Sequence, residues 1–199
     1  MIFNFPIGYH TFHENNLLNF QLNRWYSIGF LKYSEITEVG KCINTLVDSK
    51  ETFKELGEIA IRDKNWLTGA TYLRAAEFFS LGGDPEKKQL YNACIKAYKI
   101  AYSDEPIMYE KIPYDKGYLH VMRMMTSKAT KGWILVHGGY DSFNQELYPF
   151  CKTFNNAGYD VILFEGPGQG ATLYNYNMVL THEWEKPVSK VLDYYGIDD

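Results

Sequence analysis

Three cysteines, Cys42, Cys94 and Cys151, are all that this 199-residue sequence contains, and no two stand in a C-x-x-C spacing. Neither a disulfide framework nor a zinc site organises such a chain, and a reducing, cytoplasmic setting is expected. No apolar run approaches the ~18 residues of a membrane span. The segment from Met1 to Tyr9 is apolar and aromatic, but it has no basic start, continuous apolar stretch or small-residue cleavage site of a secretory leader. Clustered positive charge is also lacking, since Lys and Arg are scattered and the formal net charge is -4. Nucleic acid and anionic membrane are therefore not expected partners. There is no internal repeat and no low-complexity tract. His10, His13 and His120 have no partner at metal-ligand spacing, so no metal and no cofactor is expected.

What the sequence does have is apolar residues, 46% of the chain, enough for a sizeable core. From Ser34 to Ser103 they return every three or four positions, the period of helices. One expected helix carries Trp66, Ala70, Leu73 and Ala76 on a stripe and ends at Gly82 and Gly83. The next carries Leu90, Cys94, Ala97 and Ala101, with Asp84 as N-cap and Pro85 at its first position. Together they form a helical hairpin. At Glu105-Pro106 the pattern changes. Residues 107–112 and 118–125 read as short strands joined by a turn at Tyr114-Asp115-Lys116-Gly117. The expected division is a helical region over 1–104 and a second region over 105–199.

Trp133 to Val136 is continuously apolar, as in a strand covered on both faces. A helix is expected next, with Ser142 as cap and Gln145 completing a capping box. Its buried face would carry Leu147, Phe150, Cys151 and Phe154, with Gly158 closing it. A second apolar strand, from Tyr159 to Phe164, completes a βαβ unit. A last helix covers roughly 183–195, with Val188, Val191, Leu192 and Tyr195 on one face and Pro187 near its start.

Two glycine-rich turns follow the two apolar strands. The first is His137-Gly138-Gly139-Tyr140-Asp141-Ser142, whose glycines let backbone N–H groups face a crevice, as an oxyanion requires. Its plain alternative is a strand-to-helix turn. The second is Glu165-Gly166-Pro167-Gly168-Gln169-Gly170. Gly166, Gly168 and Ala171 fit the dinucleotide fingerprint G-x-G-x-x-G/A, but residues 172–177 show no helical pattern to present an N-terminus to a pyrophosphate.

The segments WILVHGGYDS, YDVILFEGPGQG and HEWEKPVSKVLDYYG, in this order and spacing, resemble the α/β-hydrolase group that includes dihydroxypseudooxynicotine hydrolase and acylaminoacyl-peptidase-like proteins. The resemblance implies an α/β fold: a helical, cap-like N-terminal region, then the first half of a doubly wound, mainly parallel hydrolase sheet. It also implies hydrolysis of an ester, amide or carbon–carbon bond. An oxyanion-hole N–H would fall at Gly139, with Tyr140 beside it. His137, Gly138 and the loop Gly166, Pro167, Gly168, Gln169 and Gly170 would line the substrate pocket.

The family's serine sits in G-x-S-x-G after the helix matching 183–195, with the acid and histidine later. None of the eight serines here lies in that motif, and His182 and Asp193 are not in the family's order. The 199 residues alone are therefore expected to be inactive, and to associate through an uncovered sheet edge. A different class, a tetratricopeptide-like binding module, is suggested by Trp66, Gly69, Tyr72, Ala75 and Ala76. Their spacing is one residue too short, and one hairpin is fewer than the three repeats such arrays need.

Overall fold

The computed structural model describes residues 1–197, which divide into two compact units meeting at Glu105 and Pro106. The first unit is helical: α1 (Asn16–Ser27), α2 (Tyr33–Cys42), α3 (Ser49–Arg62), α4 (Trp66–Phe79) and α5 (Lys87–Ala101).

Helix α1 precedes the stretch with visible periodicity because polar side chains share its buried face with Leu18, Leu22 and Trp25. Asn15 caps it, its Oδ1 accepting from the Leu17 and Leu18 N–H groups. Asn19 Oδ1 accepts from the N–H groups of Phe12 and His13. Asn23 accepts from His10 N–H and donates to His10 O. Two buried amides thus hold the N-terminal segment along α1, as strand pairing would, and satisfy backbone groups that burial would otherwise penalise.

Helices α3, α4 and α5 pack consecutively, with α4 in the middle and buried from Gly69 to Glu77. The α3–α4 crossing is close because glycines face it. A Cβ on Gly57 would lie 2.9 Å from Leu73 Cγ, and one on Gly69 2.6 Å from Ile61 Cδ1. Gly57→Val should therefore overpack the crossing and lower stability by about 2 kcal/mol, read as a shifted urea midpoint with unchanged slope.

The fully buried Arg74 and Glu77 pair with each other on α4. Lys87, the first residue of α5, reaches the Glu77 carboxylate at 3.1 Å and the carbonyls of Glu77 and Ser80 at 2.7 and 3.0 Å. A cation at these last carbonyls complements the α4 dipole. The cap expected at Asp84 is present in altered form. Its carboxylate accepts the Glu86 N–H at 2.8 Å across a tight turn containing Pro85, and the regular helix begins only at Lys87.

The second unit holds β1 (Met108–Tyr114), β2 (Gly117–Met124), β3 (Trp133–His137), α6 (Asn144–Asn156), β4 (Asp160–Glu165), α7 (Gly170–Tyr176) and α8 (Glu185–Tyr195). The strand order is β1-β2-β4-β3. Only β3 and β4 pair in parallel; β1–β2 and β2–β4 are antiparallel. The expectation of a mainly parallel sheet thus describes the βαβ unit alone. A hairpin with the two-residue turn Asp115-Lys116 must return antiparallel, and it is this hairpin that pairs with β4.

Every residue of β4 is buried, as a central strand requires. Ile162 and Phe164 pack with Ile112, Leu119, Val121 and Val191 under α8. The alternate residues face α6 and α7, where His120 Nε2 meets Tyr176 Oη at 3.1 Å. Arg123 grips Glu110 through two nitrogens at 2.9 and 3.0 Å, and Tyr195 of α8 donates to the same carboxylate, tying α8 to the hairpin.

Candidate functional site

The two glycine turns lie side by side because β3 and β4 are parallel neighbours, so their C-terminal ends share one edge of the sheet. A single side chain joins them. Gln169 Oε1 accepts the Gly166 N–H at 3.0 Å, while Nε2 donates to the carbonyls of Gly138 and Gly139, the latter at 3.0 Å. With Gln169 2% exposed, its amide is committed on both sides. Gln169→Leu keeps the bulk but strips three hydrogen bonds from the backbone, one of them from the buried Gly166 N–H. It should cost about 2–3 kcal/mol, measured by chemical denaturation followed through tryptophan fluorescence.

This clamp holds the carbonyls of the first turn inward. Gly139 O also accepts the Ser142 N–H at 3.2 Å, and Asp141 sits at φ +64°, reversing the chain before α6. The N–H groups of Gly139 and Tyr140 are left without an acceptor among the described residues. Both residues are exposed, and a substituent on Gly139 would meet open space. Gly138 differs, since a Cβ there would lie 2.2 Å from Ser142 Cβ, so glycine is needed for the close turn. His137 packs its ring against Trp184 at 5.0 Å and Phe164 at 5.8 Å, and its Nδ1 donates to Gly138 O at 3.0 Å.

In the second loop, residues Gly166, Pro167, Gly168, Gln169 and Gly170 are all buried, and Gln169 ties the loop to the first turn. Trp184 covers Gly166, where a Cβ would come 2.6 Å from the indole. The backbone at Leu180 covers Gly168, which sits at φ +84° and donates to Met178 O at 2.8 Å.

Helix α7 corrects an expectation, because residues 170–176 are helical where no pattern was visible. The dinucleotide reading still fails, for a different reason. The Glu165 carboxylate occupies the α7 N-terminus, accepting the Ala171 N–H at 2.8 Å, and a Cβ on Gly170 would lie 2.3 Å from it. An anionic side chain already stands where a pyrophosphate would bind.

Glu165 is the residue that sequence reasoning passed over. Its other oxygen accepts the Asn144 N–H at 3.1 Å, so one buried carboxylate caps both α6 and α7. Ser142 is accordingly not the cap of α6; Phe143 holds that position without a side-chain bond. The helix is also rotated from its expected face. It buries Asn144, Gln145, Tyr148 and Cys151, whereas Phe150 and Phe154 are each 44% exposed. An acidic residue following the apolar run from Val161 to Phe164, directly before G-P-G-Q-G, was the available signal.

Burial pushes the Cys151 thiol up to about 12, and His182 and Asp193 are exposed on the last segment. Among the described residues no group of three His, Cys, Asp or Glu side chains could hold a metal ion, and no helix is long and apolar enough to cross a membrane.

A β3-α6-β4 crossover carrying two clamped glycine turns, preceded in sequence by an antiparallel hairpin and a helical unit, is an α/β-hydrolase-like fold. Comparison with known proteins agrees. The chain is 27% identical over 219 residues to a protein of Penicillium oxalicum named hydrolyase poxO, covering 93% of this chain and 51% of that one. Other fungal relatives are named hydrolase or alpha/beta hydrolase. Among solved structures, AbyA5 superposes with a TM-score of 0.67 at 15% identity, over 81% of this chain and 46% of that one. The 2,6-dihydroxy-pseudo-oxynicotine hydrolase superposes with a TM-score of 0.55 at 17% identity, over 85% and 52%. No family model matches. The chain spans about half the length, or less, of the curated relatives it matches.

Proposed function

We propose that these residues form the helical region and the first half of the catalytic sheet of a serine-type α/β-hydrolase acting on an ester, amide or activated carbon–carbon bond. The observation that carries this is the pair of unpartnered N–H groups at Gly139 and Tyr140, on a turn whose carbonyls are held away by Gln169. Such a turn offers donors, fixed in advance, to the oxygen of a carbonyl under attack. The attacking serine and its base are not among these 199 residues, so the chain alone supplies positioning and oxyanion stabilisation without a nucleophile.

Two measurements test the reading. Fluorophosphonate labelling of the isolated chain, and its turnover of a p-nitrophenyl ester, should remain at the level of a heat-denatured control. Labelling of any of its serines would overturn the assignment. Fused to the remaining residues of the Penicillium oxalicum relative, the chain should become reactive. Gly139→Pro, which deletes one N–H, should then slow turnover about 100-fold with little change in KM. An unaffected rate would remove Gly139 from the oxyanion role.

A further inference from the structure

Each of the two N–H groups left without an acceptor at the candidate site belongs to a peptide whose carbonyl accepts two hydrogen bonds. The Gly139 N–H shares its peptide with Gly138 O, which takes His137 Nδ1–H at 3.0 Å and one hydrogen of Gln169 Nε2. The Tyr140 N–H shares its peptide with Gly139 O, which takes the other Gln169 hydrogen at 3.0 Å and the Ser142 N–H at 3.2 Å. Both lone pairs of both carbonyls are thus used. Because a trans peptide is planar, fixing its carbonyl sends its N–H the opposite way.

Packing does little to hold these planes. A Cβ on Gly139 would meet nothing within 4 Å, and glycine moves between backbone regions at low cost. Tyr140 is exposed. Gln169, in contrast, is buried and anchored from its far side, where Oε1 accepts the Gly166 N–H at 3.0 Å. That bond decides which end of the amide faces the turn. Among the described residues Gln169 is the side chain that reaches both planes, and a glutamine can give two hydrogens to carbonyls while its oxygen accepts. Donation into a carbonyl also polarises the N–H of the same peptide, which makes it a stronger donor.

We propose that Gln169 is a positioning residue that aims and polarises both oxyanion donors, a role that rests on the hydrolase function proposed above. It acts through two peptide planes and not on the substrate itself. Gln169→Glu isolates this role, because it keeps the size and the acceptor for Gly166 but sets a carboxylate oxygen against two carbonyls. Burial and that repulsion both raise the pKa of such a group. The segments that meet there carry His137 and Asp141 on the first turn, Glu165 at the end of β4, and His182 and Glu183 before α8. The three carboxylates push the same way, and a protonated imidazole opposes them. Below its raised pKa the acid form regains one donor; above it there is none.

Two independent readouts test the role. In the full 199-residue chain, NMR reads the carbonyl carbons of Gly138 and Gly139, which move downfield when they accept hydrogen bonds. Gln169→Leu should move both upfield and shift the Gly139 and Tyr140 amide protons. His137→Phe keeps a ring against Trp184 and Phe164 and should move the Gly138 carbon alone. In the fusion to the remaining residues of the Penicillium oxalicum relative, Gln169→Leu should lower kcat about 100-fold at every pH, with KM within about twofold. Gln169→Glu should match it at high pH. Divided by the wild-type rate at the same pH, which cancels the titration of the catalytic base, its kcat should then recover about tenfold as pH falls. Carbonyl shifts unmoved in a folded Gln169→Leu, a Gln169→Glu ratio that ignores pH, or a loss confined to KM would each overturn the proposal. A wild-type fusion without activity would overturn the hydrolase function instead, and the carbonyl shifts would still decide whether Gln169 holds the turn.

Discussion

Replacing Glu165 by leucine is expected to destabilise the second unit by about 3–5 kcal/mol, the largest loss from any single substitution around the two turns. The carboxylate is 3% exposed and receives the first free N–H of α6 on one oxygen and that of Ala171 in α7 on the other. Leucine fills the space but leaves both donors buried without acceptors, at about 1–3 kcal/mol each, and removes a negative charge from two helix N-termini. Glutamine should rescue little. It has one acceptor oxygen, so one helix N–H would face an NH₂ group across ~3 Å. Hydrogen exchange separates this local effect from global unfolding: amides in the first turns of α6 and α7 should lose protection in both variants, while those of α3 to α5 keep theirs. Equal stability of wild type and Glu165→Leu would mean that water replaces the carboxylate and that the clamp has no structural weight.

The same carboxylate shows where sequence reading stopped. Features that depend on local order were visible: the continuous apolar run of β3, the hairpin turn at Asp115-Lys116 and the extent of α8 all follow from propensity and period. Features that depend on side chains meeting across the fold were not. Helix α1 buries Asn19, Gln21 and Asn23, of which Asn19 and Asn23 bond to backbone, and these polar positions erase the apolar period. Helix α7 is seven residues long, and its buried residues are Gly170, Ala171 and Thr172, too small to give a hydrophobic stripe. In α6 the expected face followed its aromatic residues, yet the orientation is set by Asn144 bonding the carbonyl of His120 and by the N–H that Glu165 accepts. At the candidate site, the glycines marked where the backbone turns. Gln169, which decides which way the turn's carbonyls point, could only be assigned once both turns were placed side by side.

The second large effect concerns the open side of β3. The 199-residue chain is expected to self-associate, with dimers growing as concentration rises. Strand β3 is hydrogen-bonded to β4 along one edge, in register from Trp133 opposite Asp160 to His137 opposite Phe164. Among the described residues no strand pairs with its other edge. Backbone N–H and C=O groups along that edge are open to any extended segment that presents its own. The side chains do not discourage pairing, because Trp133 to Val136 contains no charge, proline or bulge. Trp133 is 37% exposed, in contrast to the complete burial of β4. Two copies meeting edge to edge would extend the sheet and cover Trp133 in both. Trp133→Lys places a charge where natural edge strands carry one and should raise the dissociation constant at least tenfold. The indole it removes lies 6.5 Å from Tyr195, a solvent-side contact whose loss should cost the fold about 1 kcal/mol. Sedimentation velocity across a concentration series reads the outcome for both proteins. A wild-type chain that stays monomeric at the highest concentration, or a Trp133→Lys variant that associates as strongly as wild type, would rule out pairing through this edge.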